Sequence, residues 1–315
     1  MKPGGIYDKT DKGAKMVCQL EVYQLVYDGA LHVLKTDTNG RHNPLRPPGS
    51  GQALMGVGLR EGIPDGDDLL YPMQATTGDV GAWNSLPVIS GVSRWRHMDD
   101  QWQPVAFYPV VSSDDPSSAG DGEKAIYGTV VPAHWGEASL VRDIDGALLF
   151  SARGDYGRLS HQLRVWRSTD GGKNWQVTID LPDGRSEAPV TINQAVDGTP
   201  YVVANKRGHG RDWLCLFPLK PDRNGLEEPI TVRDATEQFG LPPSDPQRRG
   251  FAERWLVDHP TAAVVHLADG AWHNVLSYRI MDRGEHAGAD PAAQSGLYLE
   301  EVFSVGAVRA PWRID

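Results

Sequence analysis

The stretch that decides the fold runs from His134 to Trp175 and reads HWGEASLVRDIDGALLFSARGDYGRLSHQLRVWRSTDGGKNW. Its apolar residues form short runs or alternate with polar residues, a pattern typical of β-strands. Asp145-Gly146 separates two of these runs and favours a tight hairpin, because the two central residues of that turn take positive φ. The stretch therefore predicts four strands joined by turns and loops, which together make one antiparallel sheet.

Asp-Gly pairs of the same kind recur at residues 28, 145, 197 and 269, and each separates two apolar runs. Recurrence at intervals of several tens of residues is typical of propellers and other repeat arrays. The counts of 35 Gly, 23 Pro and 10 Trp fit many turns and aromatic packing. We predict an all-β protein, a β-propeller of five or six blades of four-stranded antiparallel sheet. A single domain would span residues 1–315, with a long insertion at about 37–90 that carries one or two short strands.

The net charge and the hydropathy pattern restrict the classes of function. A formal net charge of −10 argues against nucleic-acid binding, because proteins of that class present a basic surface. No apolar run approaches the length of a membrane-spanning helix, and the first residues contain no apolar signal region. The compartment stays open: secreted or periplasmic if a signal peptide was removed, and cytoplasmic otherwise.

The two cysteines, Cys18 and Cys215, lie in apolar runs, which favours two buried free thiols. No spacing of Cys and His resembles a zinc site. We therefore expect neither a metal nor another cofactor.

Residues 168–175 carry the most specific motif, S-x-D-x-G-x-x-W, matched by Ser168, Asp170, Gly172 and Trp175. The match resembles the Asp-box, the hairpin (BNR) repeat of sialidases and related β-propellers. In such a turn the Asp side chain accepts hydrogen bonds from backbone N–H groups, Gly takes the positive φ and Trp packs under the hairpin. The resemblance implies a sialidase-like fold, and it carries no information about chemistry.

The same resemblance implies where a substrate site lies. In these propellers the first strand of each blade lines the central axis, and the start of that strand meets the substrate. In many bacterial sialidases a Glu opens a first strand, an Asp-Gly turn follows, and a substrate-binding Arg closes the second strand. Glu137, Gly146 and Arg153 follow this spacing. By resemblance, Glu137 would polarise a tyrosine nucleophile and Arg153 would bind the substrate carboxylate. Arg207 or Arg211 would add a second arginine, since guanidinium pairs bidentately with carboxylate.

The chain departs from the sialidase pattern in several respects. The family's early Arg-Ile-Pro motif is absent, and Thr261 stands where the catalytic tyrosine is expected, at the counterpart of Glu137. No residue can be assigned as the family's aspartic acid/base. The candidates in the insertion are Asp65, Asp67, Asp68 and Asp79.

Asp258-His259 carries a second resemblance, to propeller polysaccharide lyases and a related rhamnosidase family that use a histidine at the mouth. A neutral imidazole accepts the proton α to a carboxylate, and arginine neutralises that carboxylate so that the proton becomes acidic. By this resemblance His259 would be the base, with His134, Tyr278 and Arg279 around the uronate.

Three hypotheses follow, and each has a carbohydrate as the partner. The first is a sialidase-like glycoside hydrolase that acts on an acidic sugar, with Glu137 in the acid/base pair. The second is a propeller lyase or rhamnosidase-like enzyme that uses His259. The third is a non-catalytic carbohydrate-binding propeller. Structural roles are the alternative for single residues: an ion pair between Arg153 and Glu137, and a strand start shaped by His259.

Overall fold

In the computed structural model, most of the described residues lie in β-strands. Among the residues it describes, no helix is long and apolar enough to cross a membrane. The described residues are 2–10, 13–27, 31–38, 47–49, 52–59, 62–77, 88–99, 101–113, 123–126, 129–132, 134–155, 157–207, 210–234, 255–266, 270–282 and 299–304.

The strands form five antiparallel sheets, named A to E in chain order, and one separate hairpin. Sheet A contains β1 (Lys2–Thr10), β2 (Gly13–Tyr27) and β3 (Leu31–Thr38). Sheet B contains β4 (Gln52–Val57), β5 (Ile63–Asp65), β6 (Asp68–Thr77), β7 (Val88–Met98) and β8 (Gln101–Ser112), in the order β4-β6-β7-β8 with β5 paired to β6. The hairpin pairs β9 (Glu123–Ile126) with β10 (Thr129–Pro132).

Sheets C, D and E run strand by strand along the chain. Sheet C contains β11 (His134–Arg142), β12 (Leu148–Asp155), β13 (Leu163–Ser168) and β14 (Gln176–Leu181), with a 3-10 helix (Gly157–His161) after β12. Sheet D contains β15 (Thr191–Gln194), β16 (Pro200–Asn205), β17 (Trp213–Pro218) and β18 (Ile230–Asp234). Sheet E contains β19 (Trp255–His266), β20 (Trp272–Asp282) and β21 (Leu299–Ser304).

Sheets C and D confirm the prediction of four-stranded antiparallel sheets. Gly146 and Gly198 lie in the turns between the first and second strands with φ of 86° and 84°, whereas Asp145 and Asp197 do not take positive φ. The N–H of Gly146 donates to the carbonyl oxygen of Asp143 at 2.9 Å, so the central residues of this turn are Ile144 and Asp145, and the prediction of a turn centred on Asp145-Gly146 is wrong. Sheet B differs from the sequence prediction, because β4, β5 and β6 all lie within residues 37–90, where one or two short strands were expected. Gly56 lies within β4 and Pro72 within β6, and these turn-forming residue types conceal the strand pattern in the sequence.

The core lies between the faces of neighbouring sheets. Leu70 and Val92 of sheet B pack with Phe150 of sheet C in one buried cluster. A second cluster joins the other face of sheet C to sheet D, and a third joins sheet D to sheet E. Because sheet C is covered on both faces, β12 reads as a continuous apolar run, Leu148 to Phe150, and not as an alternating one.

The turn at residues 168–175 is organised around Asp170. Its Oδ1 accepts hydrogen bonds from the backbone N–H groups of Lys173 at 3.1 Å and Asn174 at 2.9 Å. The hydrogen bonds from Asn174 and from the Ser168 hydroxyl lower the pKa of Asp170 to about 2. Trp175 closes the turn by donating from Nε1 to the carbonyl oxygen of Gly172 at 2.8 Å. These contacts fix the connection between β13 and β14.

Candidate functional site

The first strands of sheets C and E contain the same irregularity at the same place. In sheet C the pairing passes from Gly136 opposite Arg153 to Ser139 opposite Ser151. In sheet E it passes from Asp258 opposite Arg279 to Thr261 opposite Ser277. In each first strand two residues, Glu137-Ala138 or His259-Pro260, therefore lie opposite a single residue of the second strand. The register makes His259, and not Thr261, the counterpart of Glu137.

The bulges place two candidate site residues in an unusual backbone conformation. Glu137 has φ of 46° and His259 has φ of 53°, both in the left-handed region that non-glycine residues seldom adopt. A bulge turns the side chains away from the regular alternation of the strand, and bulges are common next to active sites. In sheet D the aligned position is Pro189, two residues before Thr191, which pairs with Val203.

Glu137 is paired with the arginine that the sequence placed beside it. Arg153 donates from Nη1 to Oε2 of Glu137 at 2.8 Å. The side chains are 15% exposed for Arg153 and 33% exposed for Glu137, so the pair is accessible from one side. A charge-assisted hydrogen bond therefore joins Arg153 on β12 to Glu137 on the bulge of β11.

Asp258 is the centre of a second and denser cluster. Its carboxylate is 0% exposed and accepts a bidentate pair of hydrogen bonds from Arg279, Nε to Oδ1 at 2.7 Å and Nη2 to Oδ2 at 2.9 Å. Arg211 donates from Nη1 to Oδ2 at 2.8 Å, and His259 contacts Oδ1 through Nδ1 at 2.8 Å. Burial raises the pKa of Asp258, but the hydrogen bonds to His259 and Arg279 outweigh burial and hold it well below its usual range.

Arg211 reaches this cluster from the neighbouring sheet. It lies between β16 and β17 of sheet D and donates from Nε to the carbonyl oxygen of Glu187 at 2.7 Å. Its own carbonyl oxygen accepts from the backbone N–H of Val257 at 2.6 Å. Asn205 adds a further link, since its Nδ2 donates to the carbonyl oxygen of Val257 at 2.9 Å. Sheets D and E are therefore joined next to Asp258.

Three of the sequence-predicted residues lie apart from the Asp258 cluster. Tyr278 is buried, and its hydroxyl accepts a hydrogen bond from Nε of Arg233 at 2.9 Å. Arg207 pairs with the exposed carboxylate of Asp183 at 3.1 Å. His134 is buried at the start of β11, opposite Asp155 in the register.

The acidic candidates of the 37–90 range lie at the other end of β11. Asp65 accepts a hydrogen bond from Arg142, the last residue of β11, at 2.7 Å. Asp68 is buried and accepts from Arg94 at 2.8 Å and from Arg96 at 2.7 Å. Asp67 lies in the adjoining turn, and Asp79 lies outside the described residues. Asp65 and Asp68 thus belong to an ion-pair network at the rim away from Glu137.

Arg185, in the loop between β14 and β15, is not among the residues that the sequence predicts for the site. It is 0% exposed and donates hydrogen bonds to main-chain carbonyl oxygens at the rim that carries Arg153. Its acceptors come from several chain segments, so no local motif could have predicted it.

Two further features bear on what the described residues can bind. They contain no group of three or more His, Cys, Asp or Glu side chains that could hold a metal ion. A cavity of about 510 Å³ lies at the opposite rim, lined by residues that include Asp143, Arg167 and Arg223. The cavity includes none of the candidate site residues.

Comparison with known proteins gives a fold. The chain is similar to the Trypanosoma rangeli sialidase, solved with 2,3-difluoro-KDN and with 2,3-difluorosialic acid as a covalent intermediate, at a TM-score of 0.51 for both. The fold is similar to that of a sialidase. Identity is 12% and 13%, and the match covers 98% of this chain but only 42% and 43% of the sialidase chains.

A looser likeness, at a TM-score of 0.46 and 10% identity, is to an exo-β-1,3-galactanase from Clostridium thermocellum, covering 82% of this chain and 50% of that one. No protein-family model matches the sequence, and no curated protein matches it. What is established is an all-β, sialidase-like fold that accounts for less than half of the sialidase chain.

Proposed function

We propose that this chain is a carbohydrate-active enzyme, a glycoside hydrolase that acts on a carboxylate-bearing sugar. The observation that carries the proposal is the repeated arrangement on sheets C and E. In each, a non-glycine residue on a bulge of the first strand lies beside an arginine from the second strand, Glu137 beside Arg153 and His259 beside Arg279. Arg211 adds a third guanidinium from sheet D.

The arginines supply the recognition of an acidic sugar. Arg153, Arg211 and Arg279 are each held by a carboxylate, which fixes the direction of the guanidinium before a ligand binds. A guanidinium fixed in this way binds a ligand carboxylate with little further loss of side-chain entropy. Three arginines face two carboxylates, Glu137 and Asp258, so one positive charge is left to be balanced by the carboxylate of an anionic sugar.

Glu137 and His259 are the residues that we assign to proton transfer. Arg153 occupies Oε2 of Glu137, which directs Oε1 towards the reacting group as acid or base. Asp258 accepts at Nδ1 of His259, which favours the tautomer with its proton on Nδ1 and leaves Nε2 as the proton acceptor. His259 is 35% exposed, so Nε2 can face a substrate while Nδ1 is held by a buried carboxylate.

A second candidate function, a uronate lyase, is favoured by the contact between Asp258 and His259. In that reaction Nε2 of His259 would take the proton α to the sugar carboxylate. The electron pair of the broken C–H bond would form a C=C bond as the glycosidic C–O bond breaks, and the leaving oxygen would take a proton from water to become a hydroxyl. Arg279 and Arg211 would neutralise the carboxylate and make that proton more acidic.

We propose a β-propeller of five or six blades over residues 1–315, in which the turn at residues 168–175 is an Asp-box. The backbone hydrogen bonds to Asp170 and the packing of Trp175 near Phe150, at 5.8 Å between ring centroids, support that assignment. The partner is a carbohydrate and not a nucleic acid, in keeping with the net charge of −10.

A substrate screen tests both functions together. The wild type is assayed on umbelliferyl glycosides of sialic acid, uronic acids and rhamnose, and on uronate polysaccharides by the ultraviolet absorbance of unsaturated products. Hydrolysis that Glu137→Gln reduces by about 100-fold or more supports the hydrolase, as removal of a general acid/base requires. New absorbance that His259→Ala abolishes supports the lyase. Asp183→Asn, an exposed change outside the cluster, is the matched control and should keep full activity.

The screen also has outcomes that contradict the proposal. Glu137→Gln with wild-type hydrolysis would remove Glu137 from the site. Sugar binding without turnover of any substrate would leave a non-catalytic carbohydrate-binding propeller.

A further inference from the structure

Arg185 has a hydrogen bond for each of its five N–H donors, and every acceptor is a main-chain carbonyl oxygen. Nε donates to Gln162 at 2.8 Å. Nη1 donates to Ser186 at 2.9 Å and to Ala188 at 2.8 Å, and Nη2 donates to Gly154 at 2.9 Å and to Leu159 at 3.2 Å. The guanidinium is therefore saturated by backbone dipoles, and its buried charge is compensated by these five carbonyl groups.

The five carbonyl groups belong to segments that carry the site. Gly154 directly follows Arg153, and Leu159 lies in the 3-10 helix beyond it. Ser186 and Ala188 flank Glu187, whose carbonyl oxygen accepts the hydrogen bond from Nε of Arg211. One guanidinium thus joins the backbone next to Arg153 to the backbone that holds Arg211.

The surrounding contacts make this junction tight. A Cβ atom at Gly154 would lie 2.4 Å from the carbonyl oxygen of Leu159, so only glycine allows the end of β12 to approach the helix this closely. The Ser186 N–H donates to the carbonyl oxygen of Asn205 at 2.9 Å, and its hydroxyl donates to that of Lys206 at 2.8 Å. The loop that contains Arg185 is therefore fixed to sheet D as well as to sheet C.

We propose that Arg185 is a positioning residue that sets the separation of Arg153 and Arg211, and with it the fit of the site to its acidic ligand. The link to a ligand rests on the proposed function; the link between the two arginines does not. A buried cation is costly, and well-packed apolar residues often replace one without loss of stability. Five directed hydrogen bonds to segments on both sides of the site instead fix the geometry of those segments. A fixed geometry matters because a displacement of about 1 Å lowers a catalytic rate by as much as about 100-fold.

The test replaces Arg185 by Lys, which keeps the charge but offers three donors to five acceptors. Arg223→Lys is the matched control, since Arg223 is also largely buried, pairs with Asp143 at 2.7 Å and lines the cavity at the opposite rim. Arginine Nε–H resonances are recorded by NMR in wild type and variants, with the Arg211 signal assigned through Arg211→Lys. Hydrogen exchange at Nε of Arg211 should be at least about fivefold faster in Arg185→Lys, as loss of one hydrogen bond implies.

An Arg211 signal with unchanged position and exchange in Arg185→Lys would overturn the proposal. Ser186→Ala, which removes only the hydroxyl bond to Lys206, is the milder variant if Arg185→Lys fails to fold. It should also speed exchange at Arg211, and an unchanged signal there would equally count against positioning through this loop.

Kinetics connect the positioning role to the proposed function. On a substrate that the wild type cleaves, Arg185→Lys should lower kcat/KM by about 10-fold to 100-fold, mostly through KM, while Arg223→Lys leaves it unchanged. A wild type that cleaves nothing would defeat the proposed function, and the Arg211 signal would still decide the positioning claim. A cleaving enzyme whose KM is the same in Arg185→Lys would defeat the positioning claim alone.

Discussion

Replacing Asp258 by Asn should cost about 3 kcal/mol of the free energy of unfolding at neutral pH. The carboxylate accepts four contacts, two at Oδ1 and two at Oδ2. The asparagine amide keeps one oxygen that accepts hydrogen bonds. Its NH2 group stands where the second carboxylate oxygen was, and it cannot accept from the two donors at that position. At least two charge-assisted hydrogen bonds are lost, each worth about 1.5–3 kcal/mol. Arg211 and Arg279 are 22% and 23% exposed and regain some hydration, which favours the lower end of the range.

The pH dependence of this loss has a definite sign. The folded-state pKa of Asp258 is lowered below the unfolded value, which is about 3.9 for Asp. The ionised carboxylate therefore stabilises the protein at pH values above about 4, and this contribution disappears as the pH falls from there towards the folded-state pKa. The difference in stability between wild type and Asp258→Asn should therefore shrink as the pH falls below about 4.

Urea unfolding followed by tryptophan fluorescence measures both effects, since the chain has 10 Trp. Asp183→Asn is the matched control, because Asp183 is 73% exposed and pairs with Arg207 at the surface. That change should cost less than about 1 kcal/mol. A loss below about 1 kcal/mol for Asp258→Asn at neutral pH, or a difference that persists unchanged at low pH, would refute the account of this cluster.

Three further predictions concern other parts of the fold. Burial raises the pKa of Cys215 to about 12, so in a Cys18→Ser variant the remaining thiol should react with a disulfide reagent only on unfolding, and prompt labelling of the native protein would contradict this. Asp170→Ala should lower the Tm at neutral pH, with the difference fading as the pH falls from about 4 towards 2; equal Tm values would show that the turn is not held by this carboxylate. Gly154→Ala should cost about 1–3 kcal/mol in urea unfolding because its Cβ meets the carbonyl oxygen of Leu159, and a silent change would show that the helix gives way freely.

The sequence predicted the elements whose information is local. Alternating and apolar runs with Asp-Gly pairs predicted sheet C strand by strand, and the spacing of Glu137 and Arg153 predicted a pair that the structure joins. The equivalence of His259 to Glu137 was missed because the hairpin of sheet E is longer, so counting from its Asp-Gly pair gives the wrong residue. Only the register across the bulge corrects the count.

Other features depend on the backbone in three dimensions. Tyr278 and Arg279 are adjacent in β20, and because side chains alternate along a strand they point to opposite faces. That rule, applied to the sequence, would have separated Tyr278 from the site. Arg185 could not have been found in this way, because its acceptors are carbonyl groups that any sequence would supply.

The shared bulge of sheets C and E has a consequence for how such a protein changes its chemistry. The same backbone kink presents a carboxylate in one sheet and an imidazole in the other, each beside an arginine on the adjoining strand. The backbone conformation of the bulge is therefore the same whether the residue there is Glu or His. A substitution at Glu137 or His259 would therefore place a different side chain at the same position beside the same arginine, without rebuilding the sheet.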